Sequence, residues 1–339
     1  MPGLTEVLVI DSVVPNADDV AIEAQTLAGT GKVRGIKLKD ETELPDWFEQ
    51  LDAIIVWHQV KLMETALKRL KKCRIIVRNG VGFDNVDLKV AGSMGIAVCN
   101  VPDYGTEEVA DHSIALALAV SRNLFAFREQ TQRLEWDWKI GTGILKRIRG
   151  RVFGIIGLGR IGTAVALRAK AFGYDVVFYD PHLAFGVEKA IGIRRAWSLD
   201  ELLKQSDLIS IHCPLSEETE GMLGREQFAV MKEGVFLVNT ARGRIIDQYE
   251  LKKALQFGKV ASAGLDVLNA EPPDDPELVN HPNVIVTPHA AFYSQESFDE
   301  CRRSSAVIVK RFFEEGIIMN LVNQEYLKTN NFQKSPCRT

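Results

Sequence analysis

Apolar positions along the chain fall into short runs separated by amphipathic stretches. Residues 7–10, 53–56 and 75–77 are such runs, each followed by polar or turn residues, as strands buried on both faces are. Between them, residues 18–27 and 62–70 carry apolar side chains at helical spacing. Strands alternating with helices predict a parallel sheet covered on both sides. A long helix is expected from about Thr106 to Gln130, with Glu108 and Asp111 near its start and residues 114–120 as its buried middle.

A second alternating series begins at Val152. Residues 152–156, 176–179, 208–212, 235–239, 260–264 and 284–287 are strand candidates, and 161–172, 199–205 and 248–257 have helical patterns. Six parallel strands in this order suit a doubly wound dinucleotide-binding domain. Residues 294–315 form a last amphipathic helix. From Tyr326 the composition turns polar, with Lys328, Lys334 and Arg338 and no acid, so the tail (327–339) is expected to be disordered.

Composition narrows this picture. At roughly 150 residues per domain, 339 residues predict two domains. The 41 Lys and Arg against 45 Asp and Glu give a net charge of −4, which does not suit a protein built to grip a nucleic-acid backbone. A hydrophobic share of 46% excludes a disordered chain. The longest apolar run, residues 114–120, is far short of a membrane span, and no basic stretch precedes an apolar run at the N-terminus. Five scattered cysteines argue against a disulfide framework. A soluble, cytoplasmic protein with no membrane or direct nucleic-acid partner is expected.

The strongest local signal is Gly157-Leu158-Gly159-Arg160-Ile161-Gly162, directly after one strand candidate and opening a helix. The first glycine permits a tight turn, the second lets backbone approach a pyrophosphate, and the third lets helix pack on strand. The helix N-terminus offers free N–H groups to phosphates. The next strand ends at Asp180, eighteen residues past Gly162. A carboxylate there accepts hydrogen bonds from a ribose and repels a 2′-phosphate, so NAD(H) is expected over NADP(H). Arg160 is a further candidate contact to the pyrophosphate, although an exposed arginine there has a plain surface role as well.

Three later strand ends carry polar residues. Asn239-Thr240-Ala241-Arg242-Gly243 delivers Arg242 to the carboxyl end of a strand, where open α/β sheets bind ligands. A guanidinium holds a carboxylate in a bidentate fork. Gly264-Leu265-Asp266-Val267 is followed by Glu271-Pro272-Pro273, and Thr287-Pro288-His289-Ala290-Ala291 ends the last strand. Reduction of a carbonyl by NADH needs an acid for the developing alkoxide. His289 can be that acid, Glu271 can fix its tautomer and favour the imidazolium, and Arg242 can orient the substrate. Each residue alone also has a plain structural explanation. Their grouping at three strand ends of one nucleotide fold points to chemistry. No cluster has convincing metal-ligand spacing, and His281 reads as a loop histidine.

In these motifs the chain resembles the D-isomer-specific 2-hydroxyacid dehydrogenases over about residues 5 to 325. It is most similar to their C-terminal-binding-protein branch in Arg168-Ala169-Lys170-Ala171-Phe172-Gly173, Phe178-Tyr179-Asp180-Pro181 and Pro288-His289-Ala290-Ala291. The resemblance implies two Rossmann-like doubly wound domains with a cleft between them: a substrate domain of residues 1–124 plus 296–326 and an NAD domain of residues 125–295. It implies Arg242, Glu271 and His289 as the catalytic triad, the last also next to the cofactor with Arg242. Asp266 is implied beside the nicotinamide, and Thr240 and Ala241 along the cofactor cleft. His212, Cys213 and Pro214 are implied over the adenosine, with Ile161, Thr219 and Thr106 completing the cofactor set. The substrate carboxylate is expected at the backbone amides of Asn79, Gly80, Val81 and Gly82, a glycine-rich loop of the kind that makes anion nests, with Arg78 just ahead of it.

The branch characteristically has Trp after His-Ala-Ala, whereas Phe292 stands here and alters the expected pocket wall. The short tail favours a metabolic enzyme over a transcriptional one. The function expected is 2-oxoacid reduction with NADH. The alternative is an NAD(H)-sensing corepressor scaffold that binds repressor peptides and is nuclear in location. Formate oxidation on the same fold normally goes with Gln where Glu271 stands. The long helix with Trp136 and Trp138 is implied to belong to a homodimer interface.

Overall fold

Val7, Leu8, Val9 and Ile10 are enclosed almost completely. They make up most of β1 (Thr5–Ile10), the strand on which the first sheet is built. The computed structural model describes residues 4–10, 19–139, 145–327 and 333–334. They divide into two units, Met1–Gly105 with Ser294–Thr339, and Thr106–Tyr293.

In the first unit α1 (Ala21–Thr26) and β2 (Gly31–Ile36) follow β1. Then come β3 (Ala53–Val56), α2 (Glu64–Leu67), β4 (Ile75–Arg78), α3 (Leu88–Ser93) and β5 (Ala97–Asn100). The sheet is parallel with order β2-β1-β3-β4-β5. The expected helix at 62–70 shrinks to α2 for a local reason. Leu62 is held in extended pairing by Asn85 O at 2.8 Å and Asp87 N at 3.0 Å, and the chain past Leu67 tightens into turns at Arg69 and Leu70. β2 escaped the sequence pattern because it is an edge strand, half exposed, with glycine at Gly31 and Gly35.

The second unit opens with α4 (Thr106–Ser121) and α5 (Leu124–Gln132). The single helix expected over 106–130 is therefore two. Asn123 takes a left-handed conformation, φ 51°, which asparagine tolerates better than most residues, and the helical path breaks there. The series then runs β6 (Val152–Ile156), α6 (Arg160–Ala171), β7 (Asp175–Tyr179), α7 (Val187–Ile191), β8 (Arg194–Arg195), α8 (Leu199–Gln205) and β9 (Leu208–Ile211). It ends with α9 (Arg225–Val230), β10 (Val235–Asn239), α10 (Gln248–Gln256), β11 (Val260–Leu265), α11 (Pro276–Val279) and β12 (Val284–Val286). The parallel sheet has order β12-β11-β10-β9-β6-β7-β8. The six expected strands are all present. The seventh, β8, is only two charged residues long and leaves no hydrophobic trace in the sequence.

Each face of this sheet has its own core. Phe153, Ile155 and Val238 pack with Leu116, Ala117 and Val120 of α4 and Val165 and Ala169 of α6. Ile156 and Leu237 point to the other face, with Leu202, Phe228, Leu251 and Leu255. Each enclosed Val, Leu, Ile or Phe among them contributes about 1.5–3 kcal/mol relative to exposure. Because α4 is part of the first core, the unit boundary falls at Gly105, ahead of the expected 124.

The chain returns to the first unit through α12 (Gln295–Glu315). Ser294 and Ser297 cap its start reciprocally, Ser297 N donating to Ser294 Oγ at 2.9 Å and Ser294 N to Ser297 Oγ at 3.0 Å. Arg302 of α12 meets Glu23 of α1 in a buried pair at 2.6 and 2.8 Å. β13 (Ile317–Ile318) pairs in parallel with β14 (Gln333–Lys334). The rest of the expected disordered tail beyond Leu327 lies outside the described residues. Among the described residues, no helix is long and apolar enough to cross a membrane.

Candidate active site

In the second sheet the strand order reverses between β6 and β9, and the glycine motif follows β6 at that switch point. Gly157 has φ +87°, and a Cβ there would lie 2.7 Å from Cys213 N. Only glycine fits both the conformation and the closeness of the turn after β9. A Cβ on Gly162 would lie 2.1 Å from Gly157 O, so the first turn of α6 rests directly on the loop. Around Gly159, the N-cap of α6, nothing lies within 4 Å of a built Cβ. The motif thus presents an open backbone position at the start of a twelve-residue helix, whose first amides have no intrahelical partner. Arg160 is exposed and Ile161 half-buried on that first turn.

Asp180 follows β7, and its carboxylate is already oriented. Oδ2 accepts from Leu158 N at 2.9 Å and Oδ1 from His182 N at 3.0 Å. After β9, His212 Nε2 lies 2.8 Å from Ser210 Oγ, and burial pushes its pKa down to about 3, so the ring is neutral. Burial pushes the Cys213 thiol up to about 11. Pro214 O accepts from Thr219 Oγ1 at 2.6 Å, and Ser216 N donates to the same hydroxyl at 2.8 Å, so Thr219 closes the turn that carries Pro214. Thr106 heads α4 with a buried hydroxyl that has no hydrogen-bond partner among the described residues.

At the end of β10, Asn239 braces the following turn from inside. Ala241 N donates to its Oδ1 at 3.0 Å, and its Nδ2 donates to Arg242 O at 2.9 Å. Thr240 Oγ1 lies 2.8 Å from Ser113 Oγ of α4. Arg242 is half-buried, with Nη1 donating to Ala241 O at 2.7 Å. A Cβ on Gly243 would lie 2.1 Å from Leu268 C, so the Arg242 turn abuts the segment that leads to Glu271.

Asp266, at the end of β11, is only 1% exposed and organises the histidine loop. Its Oδ1 accepts from Thr287 Oγ1 at 2.6 Å and Ala290 N at 2.9 Å, and its Oδ2 from Ala291 N at 2.9 Å. Its carbonyl accepts from His289 N at 2.8 Å. Both carboxylate oxygens of Asp266, the residue expected beside a nicotinamide, are thus engaged by the turn after β12. Thr287 spends its one hydroxyl proton on Asp266, so His112 Nε2 of α4, 3.0 Å away, is the donor to Thr287 Oγ1. His289 itself has φ +53°. Its Nδ1 lies 2.7 Å from Glu271 Oε2, while Glu271 Oε1 accepts from Leu268 N at 3.1 Å. The Phe292 ring stands edge-on to His289, centroids 6.4 Å apart.

In the first unit, Arg78 ends β4 and is buried, with Nη1 donating to Asn79 O at 3.1 Å. The four-amide anion site expected after it is corrected to two. Asn79 N donates to Val56 O at 2.7 Å and Gly80 N to Arg78 O at 2.9 Å, because pairing to β3 and a tight turn consume them. Val81 and Gly82 remain candidates.

Asn239, His112 and Ser113 were not singled out from sequence. The one available signal for the last two was a pair of polar residues just ahead of the apolar middle of α4. Among the described residues, no group of three or more His, Cys, Asp and Glu is arranged to hold a metal.

Residues 114–291 match the family model described as D-isomer specific 2-hydroxyacid dehydrogenase, NAD binding domain. The chain is 37% identical over 281 residues to a D-3-phosphoglycerate dehydrogenase of Methanocaldococcus jannaschii, covering 83% of this chain and 53% of that protein. It is also 37% identical over 267 residues to C-terminal-binding protein 1 of Caenorhabditis elegans, covering 76% of this chain and 37% of that one. The chain thus spans about half or less of these curated relatives. A solved D-lactate dehydrogenase from Aquifex aeolicus, complexed with NAD and lactic acid, superimposes with a TM-score of 0.82 at 33% identity, over 90% of this chain and 95% of that chain. With its two parallel-sheet α/β units, its glycine motif at the switch point and this match over more than half its length, the chain belongs to the D-isomer specific 2-hydroxyacid dehydrogenase family.

Proposed function

We propose that this chain is an NAD-dependent D-2-hydroxyacid dehydrogenase working mainly as a 2-oxoacid reductase. The observation that carries the reading is the 2.7 Å contact of His289 Nδ1 with Glu271 Oε2, at the carboxyl edge of the sheet that holds the glycine motif. Family membership and the open helix start at Gly159 support a dinucleotide there.

A nicotinamide, when bound, supplies the hydride in reduction and takes it in oxidation. The chain supplies the rest. Glu271 accepts from Nδ1–H and so assigns the reacting proton to Nε2. From there His289 protonates the oxygen at C2 as the carbonyl becomes an alkoxide, or removes that proton in the reverse direction. The Glu271 carboxylate stabilises the imidazolium, and Arg242 orients the substrate through its planar fork. Asp266, Thr287 and His112 hold the His289 turn in place. Phe292, beside His289, forms a wall that selects among substrate side chains.

For the first unit, the same proposal assigns an anion-binding loop to Val81 and Gly82 with Arg78. Asp180 gives the preference for NAD(H) over NADP(H), since a second negative charge beside it is repelled. Homodimer formation is proposed through Leu134, Trp136 and Trp138, three large apolar side chains exposed within five residues. The corepressor scaffold is not taken further, since the acid–base pair and its bracing are what the geometry accounts for.

The test is NADH oxidation by the purified chain over a panel of glyoxylate, hydroxypyruvate, pyruvate and larger aromatic and thioether 2-oxoacids. Turnover on at least one is expected. Intact NADH binding with no turnover on any would overturn the reading.

A further inference from the structure

Asp180 sits at the start of a loop, and one buried cation grips that loop. Arg195, the second residue of β8, leaves only 6% of its side chain exposed. Its Nη1 donates to the carbonyls of Asp180 at 3.4 Å and Leu183 at 3.3 Å, and its Nη2 to Ala184 O at 2.8 Å. Its Nε donates to Glu188 Oε2 at 3.2 Å, which anchors it to α7. The guanidinium carbon lies 4.7 Å from the Phe178 ring centroid and 5.8 Å from those of Phe185 and Trp197. Phe185 and Trp197 are 82% and 67% exposed, with centroids 5.7 Å apart. Two large aromatic rings in water are otherwise hard to explain. Here they roof a guanidinium, excluding water from its hydrogen bonds and adding cation–π attraction.

We propose that Arg195 is a positioning residue for dinucleotide choice, holding the 180–184 loop so that Asp180 cannot turn away from the ribose. The inference rests on the reading of Asp180 as the NAD discriminator and adds what makes that discrimination firm. A carboxylate rejects a 2′-phosphate only if it cannot move aside, so specificity here needs a rigid loop as well as a charge. The rigidity has three parts: the Leu158 and His182 amides on the carboxylate, the Arg195 fork on the carbonyls, and Glu188 behind the fork. The first is local to the motif. The other two come from β8 and α7, the elements that sequence reading passed over.

The experiment measures KM and kcat with NADH and with NADPH for the full chain, wild type and Arg195→Met, Arg195→Lys, Asp180→Ala and Arg194→Met, together with each melting temperature. Arg194 is the neighbouring exposed arginine, paired with Asp175, and controls for loss of a surface charge. Arg195→Met is expected to raise KM for NADH by at most about tenfold, the effect of losing the Asp180 contact altogether, with a much smaller change in kcat. It is also expected to shift the NADH:NADPH ratio of kcat/KM toward NADPH in the direction of Asp180→Ala. Arg195→Lys keeps the charge without the fork and should fall between wild type and Met, which keeps the test valid if the Met variant folds poorly. A lowered melting temperature with an unchanged cofactor ratio in both Arg195 variants would overturn the proposal and leave Asp180 as discriminator. An unchanged ratio in Asp180→Ala would overturn the reading of Asp180, and this inference with it.

Discussion

Asp266 and His289 are joined backbone to backbone, His289 N donating to Asp266 O at 2.8 Å, while the Asp266 carboxylate takes the next two amides of the same turn. The histidine is thus fixed by β11 as much as by its own strand. Its Nδ1 is then set by Glu271, which Leu268 N steadies in turn.

Glu271→Gln keeps the size of the side chain but removes the charge that, in the proposed mechanism, faces His289 Nδ1. Turnover is expected to fall about 10–100-fold, a part of what a general acid contributes, with KM for NADH little changed. Steady-state kinetics with saturating cofactor check this; wild-type kcat would show that the carboxylate is dispensable.

In the proposed function Asp180 is the acceptor at the ribose end, and Asp180→Ala removes it. KM for NADH is expected to rise about tenfold and NADPH to become a usable cofactor, while kcat with saturating NADH changes less. Paired titrations of NADH and NADPH measure the shift.

His212 carries a pH signature in stability. Its folded pKa is pushed down to about 3, below the usual histidine value, so between these two pH values the unfolded chain binds a proton that the folded chain excludes. Stability should therefore fall as pH drops below about 6.5 and level off near pH 3. Between pH 6.5 and 4.5 the loss from this group is on the order of 1–2 kcal/mol, less than full linkage because the ring keeps some exposure to water. His212→Gln, which retains a partner for Ser210, is expected to flatten that slope in denaturant unfolding measured at both pH values.

The Glu23–Arg302 pair ties α1 to α12 with both side chains almost fully enclosed. Glu23→Leu strands a buried guanidinium and should destabilise the chain by about 3–5 kcal/mol. Adding Arg302→Met to that change should recover most of the loss. Chemical denaturation of the two variants distinguishes this coupling from simple packing loss.

Much of this was legible in the sequence, because fully buried strands are written as unbroken apolar runs. Residues 53–56, 152–156 and 235–239 match β3, β6 and β10. What escaped had no such mark. β8 is two arginines, β2 is a half-exposed edge, and the break at Asn123 depends on one backbone conformation inside an otherwise helical pattern. Glycine spacing correctly put Gly157, Gly159 and Gly162 between β6 and α6, and the strand pattern put Arg242 just after β10 and His289 just after β12. The bracing by Asp266, Asn239, Thr287 and His112 is a matter of where side chains from distant segments meet, and residue spacing does not encode it.

In the proposed function His289 moves the proton at C2 and does not hold the dinucleotide. The direct measurement is single-turnover NADH oxidation on an accepted 2-oxoacid by wild type and His289→Ala, with NADH affinity followed by nucleotide fluorescence. A rate lowered by at least about 100-fold is expected, with NADH affinity nearly unchanged. A His289→Ala variant that turns over at the wild-type rate would contradict it.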